Sequence, residues 1–236
     1  MNYLGLSSSI WGNVEHLWYP LGIIFAYLII LVIFAEGLNR VITDDPELTR
    51  KVVHIGSGNV ILLAWWLKIS ALVIVSAAII AAAIAISSYF LPILPSINSV
   101  GRKSLGTLFY AVSIGVLAAC FWQNQPQYTA IGILIMAWGD GLAAIIGQRF
   151  GKHTYTVFNI KKSWEGSLTM AVVSYFFTCL ILLLVEGNSW QIWSISLIVA
   201  IAASALEAVS KLGIDNLTVP LGSAILSFWL VQTFII

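Results

Sequence analysis

The sequence predicts an all-α, polytopic transmembrane helical bundle of about eight spans, or seven if the second is not a span, with both termini on the non-cytosolic side. Three observations predict it. Hydrophobic residues make up 60% of the 236 and charged residues only 9%, with a mean hydropathy of +0.96, whereas a soluble domain carries about 25% charged residues. The apolar residues fall in runs near 19–38, 46–67, 69–91, 104–122, 128–148, 166–185, 190–208 and 217–235, close to the roughly 20 residues a helix needs to cross a bilayer. Finally, ten of the eleven Lys and Arg residues fall in alternate connections, which the positive-inside rule assigns to the cytosol.

In chain order, the first run is uniformly apolar and the second opens on two polar turns. Asp45-Pro46 suits an N-cap followed by the first helical residue. Arg40, Arg50 and Lys51 cluster around this junction. The third run ends before Arg102 and Lys103, which precede the fourth. The fifth is interrupted by Trp138-Gly139-Asp140-Gly141, where the glycines allow a close backbone approach or a break. Arg149, Lys152, Lys161 and Lys162 lie between the fifth and sixth, and Lys211 between the last two. The remaining connections and both termini hold only Lys68. Tryptophans 11, 18, 65, 66, 122, 190, 193 and 229 fall near the predicted outer boundary, as an aromatic belt would. Cys120 and Cys179 sit in apolar runs without metal-ligand spacing and read as small hydrophobes. The whole chain, 1–236, is predicted to be a single membrane domain without a signal or transit segment.

Topology explains the cations but not the acids. Eight of the ten acidic residues (Glu36, Asp44, Asp45, Glu47, Asp140, Glu165, Glu207 and Asp215) map to the same half as the cations. Ionised groups at membrane depth are costly and mark functional sites. Asp140 lies roughly 12 Å inside the fifth run, at about 1.5 Å per residue. A carboxylate there calls for a cation, either magnesium held with a nucleotide or a neighbouring Lys or Arg. Lys161-Lys162-Ser163-Trp164-Glu165-Gly166 starts the sixth run. Two lysines ahead of a helix N-terminus favour an anion, with Ser163 as N-cap and Glu165 as a possible metal ligand. Arg50, Lys51 and His54 share a helical face by spacing and suit phosphate contact, with His54 a candidate base. Arg102-Lys103-Ser104 repeats the pattern of cations before a helix start. Glu207 and Lys211 are spaced for an i,i+4 pair. Gly213 ends that helix, and Asp215-Asn216 suits magnesium, hydroxyl orientation or capping. Walker and dinucleotide-binding glycine motifs are absent. The net charge of +1 gives no argument for a nucleic-acid partner.

Taken in order, Arg50-Lys51-x-x-His54, Arg102-Lys103-Ser104-x-Gly106-Thr107, Gly139-Asp140-Gly141, Gly151-Lys152, Lys161-Lys162-Ser163-x-Glu165-Gly166 and Asp215-Asn216-x-x-x-Pro220 resemble the CTP-dependent polyprenol kinase family. The resemblance covers roughly residues 36–225. In its compact size it is most similar to the phytol kinase branch of cyanobacteria and plastids, which implies an inner or thylakoid membrane.

It implies transfer of the γ-phosphoryl group of CTP, or another NTP, to an isoprenoid alcohol lying in the bilayer, with the nucleotide arriving from the cytosolic side. Mg2+ would be the cofactor, with Asp140, Glu165 and Glu207 as its ligands. Nucleotide contacts would come from Arg50, Lys51, Arg102, Lys103, Ser104, Gly139, Gly141, Gly151, Lys152, Lys161, Lys162, Ser163 and Asn216. Asp140, Asp215 and His54 would serve the chemistry. The Lys-x-Trp-Glu-Gly stretch is also similar to CDP-diacylglycerol synthases, so a cytidylyltransferase is the second enzyme reading. A transporter with broken helices is the non-enzyme reading. The alcohol's chain length and the oligomeric state are not legible.

Overall fold

The computed structural model describes residues 17–41, 46–90 and 105–235. The segments carrying Asp44, Asp45, Arg102, Lys103 and Ser104 lie outside the described residues, as does the side chain of Arg40. The described chain runs α1 (Trp18–Val41), α2 (Pro46–Gly58), α3 (Val60–Trp66), α4 (Ala71–Phe90), α5 (Gly106–Phe121), α6 (Pro126–Leu134), a π-helical turn (Ile135–Asp140), α7 (Gly141–Phe150), a hairpin of β1 (Thr154–Val157) and β2 (Ile160–Ser163), α8 (Trp164–Glu186), α9 (Trp190–Val209) and α10 (Asp215–Phe234).

Six helical stretches are long and apolar enough to cross a membrane: 18–38, 71–88, 126–150, 164–186, 190–209 and 215–234. The fourth predicted run yields an apolar helix of only 16 residues, α5. The second yields two helices broken at Asn59. Its cause is local. Gly56, Gly58 and Asn59 are poor helix formers, and Tyr27 Oη donates to the Gly56 carbonyl at 2.8 Å. Asn59 Oδ1 accepts instead from Trp138 Nε1 at 2.8 Å.

The stretch 126–150 is the central pillar. Every residue from Gln127 to Leu134 is buried, and α5, α8 and α10 pack around it. By contrast, Phe25, Ile29 and Ile33 on α1 are about 60% exposed (61%, 59% and 65%). Leaving such side chains in water forfeits about 1.5–3 kcal/mol each, so these faces suit lipid. Trp18, Trp66, Trp190 and Trp229 are exposed in keeping with an aromatic belt. Trp122 is not: it is buried, and its Nε1 donates to the Ile69 carbonyl at 2.7 Å.

The described residues are mostly helical, as expected; the hairpin is an addition that the sequence reading did not place. Thr154 pairs with Ser163 and Val157 with Ile160 in antiparallel register. The two-residue turn, Phe158-Asn159, holds both residues at positive φ (48° and 64°), the left-handed geometry that matches strand twist in tight hairpins.

Candidate active site

Gly139 and Gly141 do not break the fifth span; they let it be packed on both sides. A Cβ at Gly139 would lie 2.6 Å from Met170 Sδ of α8, and one at Gly141 would run into Ile55 of α2. Ahead of Gly141 the helix widens into the π-turn, which ends on Asp140 between the two glycines. Such turns are rare and recur at functional sites.

Asp140 faces α2. Lys51 Nζ donates to Asp140 Oδ2 at 2.6 Å, with the Lys51 side chain 8% and that of Asp140 15% exposed. His54 Nε2 lies 3.9 Å from the same oxygen, beyond hydrogen-bond range. Both contacts fall on Oδ2; among the described residues no hydrogen bond is recorded to Oδ1. The expected shared face of α2 therefore divides. Lys51 and His54 turn inward, whereas Arg50 is half exposed and grips Glu47 with Nε at 3.0 Å and Nη2 at 2.5 Å.

A second ion pair stands nearby. Lys162 Nζ binds Glu207 Oε1, joining β2 to α9. The expected Glu207–Lys211 pair does not form, because α9 ends at Val209 and the chain turns through Leu212 and Gly213 at positive φ. Strand alternation also separates the two lysines, leaving Lys161 exposed while Lys162 points into the molecule. Charge interactions connect Asp140 with Lys162, and Asp215 with Asp140, Lys162 and Lys51. Glu207 feels both Asp140 and Asp215. Lys51, Asp140, Lys162, Glu207 and Asp215, from α2, the π-turn, β2, α9 and α10, thus form one electrostatic cluster. Asn216 sits beside it and folds onto Asp215, its backbone N 3.0 Å from Asp215 Oδ1.

Glu165 stands at the hairpin base. Its carboxylate accepts from Lys152 N at 3.1 Å, His153 N at 3.1 Å and His153 Nδ1 at 2.8 Å. Ser163 caps α8 as expected, accepting from Gly166 N at 3.2 Å. Gly147, Gly151 and Gly166 crowd against Ser163, so a Cβ at Gly151 would fall 2.8 Å from Ser163 Cβ. Among the described residues no three His, Cys, Asp or Glu side chains gather as a metal cage. Mg2+ needs only one or two carboxylates when phosphates and water complete its shell; Asp140 and Asp215, each close enough to feel the other's charge, are the carboxylates such a site would draw on.

Two residues of this neighbourhood carried no sequence signal. Tyr110 on α5 lies with its ring centroid 5.0 Å from that of His54. Ser113 Oγ donates to the Asn216 carbonyl at 2.7 Å and so ties α5 to the start of α10. On the other side, Trp138 meets Phe177 at 5.7 Å between centroids. Phe177 helps line an apolar cavity of about 540 Å³ with Leu62, Trp65, Leu134 and Ile181.

A protein named phytol kinase from Synechocystis is 52% identical to this chain over 213 residues, covering 90% of this chain and 91% of its own. The chain belongs to the polyprenol kinase family. Within that family, Phytol kinase 1, chloroplastic, of Arabidopsis thaliana is 28% identical, over 84% of this chain and 71% of its own. The farnesol kinase of the same plant is 31% identical, over 79% and 66%. No family model and no solved structure matches the chain.

Proposed function

We propose that this protein is a membrane lipid kinase that transfers the γ-phosphoryl group of CTP, or another NTP, to phytol. The observation that carries this reading is the 52% identity to a phytol kinase across nine-tenths of the chain, joined to a charged cluster set beside a membrane-depth carboxylate. Phosphoryl transfer asks mainly for positioning and neutralisation of charge. Lys51 and Lys162 would hold phosphate oxygens, and Asp140 with Asp215 would hold Mg2+. Bound there, the metal would offset the charge developing on the phosphates.

The isoprenoid tail would lie in the apolar cavity between α3, α6 and α8, whose lining residue Phe177 packs on the ring of Trp138. We further propose eight spans, with α2–α3 and α5 as the two beyond the six long ones, in one membrane domain. Both termini would face away from the cytosol and the charged cluster toward it. The membrane would be a bacterial inner or thylakoid membrane.

Membranes carrying the protein, incubated with γ-labelled CTP and phytol, farnesol, dolichol or diacylglycerol, test the reading. Label in phytyl phosphate with release of CDP is expected. Label in none of the lipids would overturn it, and release of pyrophosphate would assign a cytidylyltransferase instead.

A further inference from the structure

His54 Nε2 and Tyr110 Oη are both shut away from solvent, and neither has a hydrogen-bond partner among the described residues. Leaving such an atom unpaired is costly, and native structures keep them where a ligand or water completes them. Here the two belong to neighbouring rings. The rings stand 5.0 Å apart at 50°. Gly58, one turn beyond His54 on α2, lets that helix pack against Ala137, and a Cβ there would also come within 3.3 Å of Tyr110 Oη. The charge of Asp140 reaches both residues.

The spacing defines what fits. His54 Nε2 and Asp140 Oδ2 are 3.9 Å apart, too far to bond directly, yet one oxygen can sit about 2.8 Å from each. The spacing suits a single small oxygen-bearing group, since one atom must reach both Nε2 and Oδ2. We infer that His54 and Tyr110 form the receptor for the hydroxyl group of the lipid alcohol, holding that oxygen beside Asp140. The phenol donates to the alcohol oxygen, and the alcohol's own hydrogen points to His54 Nε2 or Asp140 Oδ2. The inference rests on the kinase reading and adds the acceptor subsite to it.

The test uses the full chain in proteoliposomes, with phytol and CTP varied separately. Tyr110→Phe should lower kcat/KM for phytol about tenfold, the loss of one hydrogen bond, and leave the KM for CTP within twofold. Its melting temperature should not fall, since the variant removes a buried unpaired hydroxyl. His54→Gln, which keeps a hydrogen-bonding group, should retain more activity than His54→Leu. Unchanged phytol kinetics in Tyr110→Phe would show that the space holds water alone and overturn the inference. Parallel losses toward both substrates with a lower melting temperature would overturn it too, by assigning a packing role. An unmodified protein that phosphorylates no alcohol fails at the earlier step and is recognised before any variant is compared.

Discussion

Lys51 and Asp140 are oppositely charged groups, 89 positions apart, held at 2.6 Å in a setting that shields them from solvent. Burying two charges costs several kcal/mol each, and removing one partner leaves the other uncompensated. The pair therefore has two separable consequences. Asp140→Asn should abolish transfer and also destabilise the protein, on the order of 3–5 kcal/mol, because the Lys51 ammonium loses its counter-charge. Adding Lys51→Met should recover much of the stability, read as melting temperature in detergent, without recovering transfer. Activity in the double variant would make Asp140 a structural partner only. At this scale the sequence marked the polar residues that the structure brings near one another: Asp140, Lys51, His54, Lys162, Glu207 and Asp215. Their pairing was not legible. Lys211 has helical spacing to Glu207, and Arg50 has it to His54 as Lys51 does; only the end of α9 and the rotation of α2 exclude them.

Elements meet most closely where side chains are missing. Gly132 on α6 faces the Pro220 carbonyl of α10 so tightly that a Cβ would collide with it, and Leu117 Cδ1 and Ala224 Cβ stand 3.0 and 3.2 Å from the same point. A backbone carbonyl cannot swing aside as a side chain can. Gly132→Ala should therefore push α10 outward, cost about 1–3 kcal/mol, and weaken nucleotide binding by moving Asp215 at the head of that helix. Gly22→Ala is the matched control, since nothing lies within 4 Å of its added Cβ; its melting temperature should hold or rise. Equal effects of the two changes would refute the close-contact argument. The hairpin belongs to this scale as well. Thr154-Tyr155-Thr156-Val157 offers β-branched alternation, a strand signal, but the basic residues on either side draw the eye to loop chemistry.

The whole molecule is a central helix wrapped by others, with lipid-facing side chains outermost. The 126–150 stretch is 61% buried over its span window, against 6% for α1, so the site is built on the most enclosed element available. Sidedness then decides from where the nucleotide arrives. In a Cys120→Ala/Cys179→Ala background, Lys161→Cys should react with an impermeant maleimide added from the cytosolic side, and Asn188→Cys only from the opposite side. Reporters fused to either terminus should read non-cytosolic. Labelling of both cysteines from one side would break the eight-span arrangement.

By itself, the sequence determined the apolar character of the helices, the positions of the apolar runs and which residues put charge beside them. These depend on composition and one-dimensional spacing, which the bilayer's thickness and the cost of buried charge read directly. Tertiary structure alone decided the partner of Asp140, the partner of Glu207 and the presence of Tyr110 beside His54. Each depends on a contact between segments tens of residues apart. A tyrosine in an apolar run looks like packing until the helix opposite it places an unpaired imidazole nitrogen nearby.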